Sequence, residues 1–272
     1  MFNPVFSSGK IFKKYLSMHT HPAKIRVQNI AGRHFFSKGI LIKNAEGVQF
    51  MLDANDWITR IMLLEGDYES SSTELAKKIL SNGGLFIDVG ANFGLFTCYT
   101  AFQNNNIKVI AVEPNYKIIP WLLNNIKMNG LAERVQVIQT AVSNDIQFVT
   151  LEQPVSNNMG TTKTHAATNG LLSILSCPLN FICAQQESRI INLVKIDIEG
   201  NEFDVLENFS FDKFKIQNII LEFNHLSKVS FEKMQTFFAG KGFKSFTITG
   251  EKLENADQGI PENNIWYVNQ DN

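Results

Sequence analysis

The chain has 272 residues, 44% of them hydrophobic, enough to bury the core of one large domain or of one domain with an extension. Its 25 Lys and Arg nearly balance 26 Asp and Glu, so no overall positive field draws in nucleic acid or an anionic membrane. Three cysteines without CxxC spacing, Cys98, Cys177 and Cys183, sit in apolar neighbourhoods, which points to reduced core thiols in a cytoplasmic protein and away from a zinc site.

Near the N-terminus, Lys10, Lys13 and Lys14 lead into KYLSMHTHPAK, too polar to be the apolar middle of a signal peptide, so no export is expected. GLLSILSCPLNFICA, Gly170 to Ala184, is too short and too interrupted by Ser, Pro and Asn to span a bilayer. From about Lys24 to Asp53 the pattern predicts short β segments, with ILIKNAEGVQFML a hairpin turning through Asn44 to Gly47. Helices are expected near Asp56 to Leu64 and Ser72 to Leu80. Residues 1–82 are therefore expected to form an N-terminal extension packed on a main domain of residues 83–272.

After Gly83 the pattern becomes strand, glycine turn, helix, repeated. LFIDV precedes GLFTCYTAF, KVIAVE precedes YKIIPWLLNNIKM, and RVQVIQTA is a third strand. NLVKIDI then leads to a helix from about Glu202 to Phe209, and NIILEF leads to FEKMQTFFAG. Near-continuous Val/Ile/Leu strands alternating with helices predict a doubly wound α/β domain, its parallel sheet covered on both faces. FKSFTITG and NNIWYVNQ have only a loop between them and should pair antiparallel at one edge. A dinucleotide-binding domain closes with a parallel sixth strand, whereas seven strands with the last one antiparallel describe the Rossmann-like sheet of class I methyltransferases. The stretch Gln153 to Glu187, rich in Asn, Thr and Ser, is expected as a substrate loop or lid.

In such a sheet the ligand crevice lies beyond the carboxyl ends of the strands. FIDVGANFGLFT, Phe86 to Thr97, ends there: Gly90 and Gly94 permit a tight turn and a close ligand approach, and Asp88 places a carboxylate at the same spot. The middle glycine of a pyrophosphate-binding GxGxxG is replaced by Asn92, next to Ala91, and the Asp88 carboxylate would repel phosphates, so Asp88 suits a ligand with an ammonium and no phosphate, such as the methionine end of S-adenosylmethionine. In VIAVEPN, Glu113 lies about 20 residues further on, where a carboxylate takes two ribose hydroxyls, with Asn115 beside it. Ala141 and Val142, in TAVSN, are expected to floor the adenine.

The fourth strand, NLVKIDIEGNEFDVL, puts Lys195, Asp197 and Glu199 on one face by its period of two, and LEFNH brings Glu222, Asn224 and His225 across the crevice. Glu199, Glu222 and His225 are candidate bases for a hydroxyl acceptor. Lys195 is either part of this machinery or an internal counter-ion, and Glu202 and Asp204 serve either the site or the next helix's first turn. Asp197 with Glu222 or Asn224 offers oxygen ligands for Mg²⁺, the cofactor expected besides S-adenosylmethionine if the reaction is metal-assisted.

These blocks, FIDVGANFGLFT, VIAVEPN, SNNMGTT (Ser156 to Thr162) and LVKIDIEGNEFDVL, preceded by LLEGDYESSSTELAKKIL, resemble the FkbM family of S-adenosylmethionine-dependent methyltransferases from about Asp53 to Phe223. The resemblance implies O-methylation of a hydroxyl on a sugar, polyketide or other small molecule. It also implies Tyr68 and Glu69 as neighbours of the site, and Asn158 and Gly160 as part of a substrate-facing loop. Two other readings stay open: a nucleic-acid methyltransferase of the same fold, and a non-catalytic S-adenosylmethionine-binding module. A nicotinamide oxidoreductase is disfavoured by Asn92 and the reversed last strand.

Overall fold

The computed structural model describes residues 39–54, 56–65, 68–152, 163–166, 172–198, 200–223, 227, 229–255 and 259–270. The β segments expected before residue 39, Ser156 to Thr162, Glu199, Asn224 and His225 lie outside the described residues.

The apolar runs form strands β3 (Gly84–Val89), β4 (Ile107–Val112), β5 (Val135–Ile138), β11 (Leu193–Ile196) and β13 (Asn218–Glu222), joined by β14 (Phe243–Thr247) and β15 (Asn264–Asn269). The seven-stranded order is β14-β15-β13-β11-β3-β4-β5. β15 is antiparallel to both of its neighbours, inserted between β13 and the edge strand β14. The doubly wound sheet with a reversed last strand is thus present.

Alternation sorts the side chains onto two faces. Phe86, Leu193 and Ile220 join one apolar core, while Ile87, Val194 and Ile219 join the other. Helices α3 (Leu95–Gln103) and α4 (Ile119–Met128) bury Leu95, Phe96, Leu122 and Ile126 in the first core. Helices α6 (Glu202–Glu207) and α7 (Phe231–Gly240) bury Phe203, Leu206, Met234 and Phe238 in the second.

Upstream, β1 (Ile40–Lys43) pairs antiparallel with β2 (Gln49–Leu52), followed by α1 (Trp57–Glu65) and α2 (Ser70–Ile79). Phe50, Leu52, Met62, Leu75 and Leu80 from these elements share one core with Phe86 and Phe93. The Asn125 carboxamide ties them further to the sheet, accepting from Met51 N (2.7 Å) and donating to Phe93 O (2.9 Å).

One region departs from expectation. RVQVIQTA splits: β5 ends at Ile138, and Ala141–Val142 is a separate strand, β6. With β7 (Gln147–Glu152), β8 (Lys163–Ala166) and β9 (Ser173–Cys177) it makes a second sheet in the order β6-β9-β7-β8, and helix α5 (Leu179–Ala184) follows. The described part of the expected Gln153 to Glu187 loop therefore contains strands and a helix. Val149 faces its cross-strand partner Ile174 on the buried side, an alternation that the interleaved Ser and Thr disguise.

Candidate functional site

The glycine turn after β3 is fixed by backbone. Gly90 N and Ala91 N both donate to Val112 O at the end of β4 (2.9 and 3.0 Å), and Gly94 N closes back on Ala91 O (2.8 Å). Both glycines have positive φ, +85° and +82°. The close approach they permit is to the protein itself: a Cβ at Gly90 would lie 1.9 Å from Asp197 O, and one at Gly94 would lie 2.5 Å from Leu122 Cδ1. The tight turn expected of these glycines is present, and their lack of a Cβ is required by the protein's own packing. They let the β11 end and α4 close on the turn.

Asn92, at the tip, also has positive φ (+51°), and its Oδ1 is buried without a hydrogen-bond partner. Its backbone N donates to Glu113 Oε2 (2.9 Å), and Asn115 N donates to Glu113 Oε1 (2.8 Å). Burial drives the Glu113 carboxyl up to about 7 against those two amide bonds. The Asn115 side chain turns back to accept from Lys117 N (3.0 Å). Ala141 and Val142 pair with Ser176 and Cys177 in the second sheet and bury their side chains in two cores.

Asp88 and Lys195 are register partners on neighbouring parallel strands and share a face. Asp88, 1% exposed, accepts from Thr97 Oγ1 of α3 (2.6 Å). Burial raises its pKa, while Lys195 and Thr97 pull it down. Lys195 Nζ lies 2.8 Å from Asp197 Oδ2 and 4.5 Å from the Phe96 ring centre. Burial opposes its charge, but Asp197, Glu69 and Asp88 together hold its pKa above the ordinary lysine value. Lys195 thus forms a buried ion pair with Asp197, an arrangement common to both roles its position allowed. Burial would push Asp197 upward, yet the Lys195 ammonium and hydrogen bonds from Lys195 and Glu222 hold it low. The Asp197 and Glu222 side chains are thus in hydrogen-bond contact across the ends of β11 and β13.

Tyr68 and Glu69 reach the same cluster from the start of α2. The Tyr68 hydroxyl is hydrogen-bonded to Glu69, and its pKa is raised by burial and by Glu69, Asp197 and Glu222. Glu69 is pushed up to about 7, chiefly by burial, with Lys195 opposing. Asn264, at the start of β15 and 1% exposed, donates to Glu69 Oε2 (3.2 Å). The sequence analysis missed Asn264 and Thr97, whose neutral polar side chains carry no local signal. Glu202 serves the turn after β11, accepting from Ile198 N (3.0 Å) and Gly200 N (2.8 Å).

Among the described residues, no three His, Cys, Asp or Glu side chains are grouped as a metal site. Nor is any described helix long and apolar enough to cross a membrane.

Comparison with known proteins follows this geometry. The hexuronic acid methyltransferase AglP of Haloferax volcanii is 27% identical over 175 residues, which cover 64% of this chain and 69% of AglP. Among solved structures, M. capricolum TrmK in complex with S-adenosylhomocysteine matches with a TM-score of 0.41 at 14% identity over 72% of this chain, which spans 65% of that one. The METTL16 methyltransferase domain matches with a TM-score of 0.46 at 12% identity over 93% of this chain and 96% of its own. The model of the methyltransferase FkbM domain matches residues 88–245, from the acid that closes β3 to the middle of β14. The matched span takes in the glycine turn, Glu113 and the Lys195–Asp197 pair alike, and the chain belongs to the FkbM family of methyltransferases.

Proposed function

We propose that the protein transfers a methyl group from S-adenosylmethionine to a hydroxyl of a small molecule or glycan, a sugar ring being the acceptor that the AglP likeness favours. The observation that carries this reading is the Asn92 Oδ1 atom, a buried acceptor without a donor at the tip of the β3 turn. A buried polar atom of this kind is costly until a ligand completes it, and the ammonium of the methionine moiety has the donors to do so. Glu113 fits the ribose, because each carboxylate oxygen has spent one lone pair on an amide and keeps another for a hydroxyl. When bound, S-adenosylmethionine supplies a sulfonium methyl whose C–S electron pair stays on sulfur as the acceptor oxygen takes the carbon.

The chain's own residues do the rest. Asp88, with Thr97 and Lys195, fixes the floor of the turn. Lys195, Asp197 and Glu222, with Glu199 and His225 as further members, order the acceptor hydroxyl, and the carboxylates of this cluster, not the Lys195 ammonium, draw off its proton. The protein is expected to work in the cytoplasm.

Two substitutions separate the roles. Glu113→Ala should weaken S-adenosylhomocysteine binding about tenfold or more in calorimetry, the loss of roughly 1.4 kcal/mol or more of hydrogen bonding. Asp197→Ala should leave that affinity within about threefold and lower kcat about a hundredfold, measured with methyl-tritiated S-adenosylmethionine and a panel of methyl glycosides. If neither the parent nor Glu113→Ala gives binding heat, the reading fails.

A further inference from the structure

Four non-glycine residues among those described have positive φ: Glu69, Asn92, Glu262 and Asn263. One is the turn tip at the cofactor end. The other three meet at a single corner, where the chain entering α2 touches the chain entering β15. Left-handed backbone outside glycine costs about 1–3 kcal/mol per residue and persists where surrounding contacts enforce it.

The contacts at this corner are dense and long in range. Glu262 accepts from Ser71 N (3.0 Å) and Ser72 N (2.9 Å), capping the first turn of α2 with a carboxylate from 191 and 190 residues away. The Asn264 Nδ2 amide is shared among Glu262 O (3.0 Å), Ser72 Oγ (3.1 Å) and Glu69 Oε2 (3.2 Å). Asn264 also sits opposite Glu222 in the β13–β15 register, so the strand that carries it is anchored at the crevice. The effect is to hold Glu69 in one place. Facing its carboxyl are Tyr68 from its own segment and Lys195 and Asp197 from β11 and its C-terminal end.

We propose that Asn264 is a positioning residue for the reaction: its carboxamide fixes the Glu69 carboxylate beside the Lys195–Asp197 pair, where Glu69 takes up the proton lost by the acceptor. The inference rests on the methyl-transfer reading above. As the new oxygen–carbon bond forms, the acceptor's O–H bond breaks, its electrons stay on oxygen, and the proton moves to the carboxylate cluster and ends on Glu69. Glu69 suits this role, since its carboxyl titrates near neutrality, held between burial, which favours the acid, and the Lys195 charge, which favours the anion.

The test uses the full chain and a readout independent of turnover. Infrared spectra of the protein without added ligand, recorded across pH, should contain a carboxylic acid C=O band that vanishes in Glu69→Gln, and this band would report the Glu69 midpoint. Asn264→Asp replaces a donor with an acceptor on the same frame, so it should move that midpoint upward by about one pH unit, the loss of a bond that favours the anion. The acidic limb of kcat, measured with methyl-tritiated S-adenosylmethionine and the methyl glycoside that accepts label, should move by the same amount while KM for S-adenosylmethionine stays within about twofold. In Glu69→Gln the limb should disappear. A band and limb that stay put while the rate falls equally at every pH would reduce Asn264 to a structural bond and overturn the proposal. So would a Glu69→Gln enzyme that keeps the parent's acidic limb, a result that does not depend on Asn264→Asp folding. If the parent binds S-adenosylhomocysteine and transfers methyl but shows these outcomes, only this inference falls; a parent that does neither removes the methyl-transfer reading and this inference with it.

Discussion

At the ends of β3 and β4 the buried acids are anchored by main chain and close neighbours: Glu113 by the amides of Asn92 and Asn115, Asp88 by a threonine nine residues on. At the ends of β11 and β13 the charges are anchored by one another, Lys195 on Asp197, Asp197 on Glu222, and Glu69 by an asparagine 195 residues away. The first arrangement is local and suits the fixed shape of the cofactor proposed above, whereas the second couples charges to one another, which suits the proton transfer proposed above.

This contrast is sharpest at Lys195, on which the mutual arrangement depends. Lys195→Met leaves Asp197 and Asp88 without their common cation and should cost about 3–5 kcal/mol at neutral pH, the range for removing one partner of a buried pair. The loss should shrink on acidification, as the stranded carboxylates take up protons; thermal melts at neutral and acid pH read both numbers. The local arrangement is broken by Gly90→Ala, whose methyl meets Asp197 O in a backbone of positive φ. We expect about 3 kcal/mol of destabilisation in denaturant melts, because strand ends rather than a flexible side chain must move.

A smaller effect sharpens the comparison through pH. Glu113 has a folded pKa raised to about 7 from 4.5, so the folded state holds its proton more tightly than the unfolded one. Its contribution is fully present below the unfolded value and is lost as pH rises through the folded one, about 3 kcal/mol in all. Glu113→Gln should flatten that decline between pH 4.5 and 7 in urea titrations, at the expense of one amide bond. A decline of unchanged slope would mean that Glu113 is not the group responsible.

The same contrast governs what could be read from residues alone. The strands and their ends were legible because Val/Ile runs closed by an acid, as in LFIDV and VIAVE, mark buried parallel strands leaving a sheet. Asp88, Glu113, Lys195, Asp197 and Glu222 follow from those ends. The second sheet was hidden because β7 and β9 mix Ser and Thr with apolar residues and leave Phe148 and Leu175 exposed, which blurs the period of two. The glycine turn was legible, but the packing that also requires glycine there was not, since the neighbours of Gly90 and Gly94 come from β11 and α4, distant in sequence. Asn264, Glu262 and Thr97 were invisible as site residues: common polar types acquire a role only when the fold brings their partners to them.

The placement of β15 has a consequence for biosynthesis. A nascent polypeptide can pair β5, β4, β3, β11 and β13 while residues 261–270 are still untranslated, since none of those strands needs β15 to meet its parallel neighbour. The corner around Glu69 cannot close until Asn264 arrives, and a loop that long makes its closure entropically late as well. A chain stalled before β15 would therefore be expected to hold the glycine turn while lacking the Asn264–Glu69 contact.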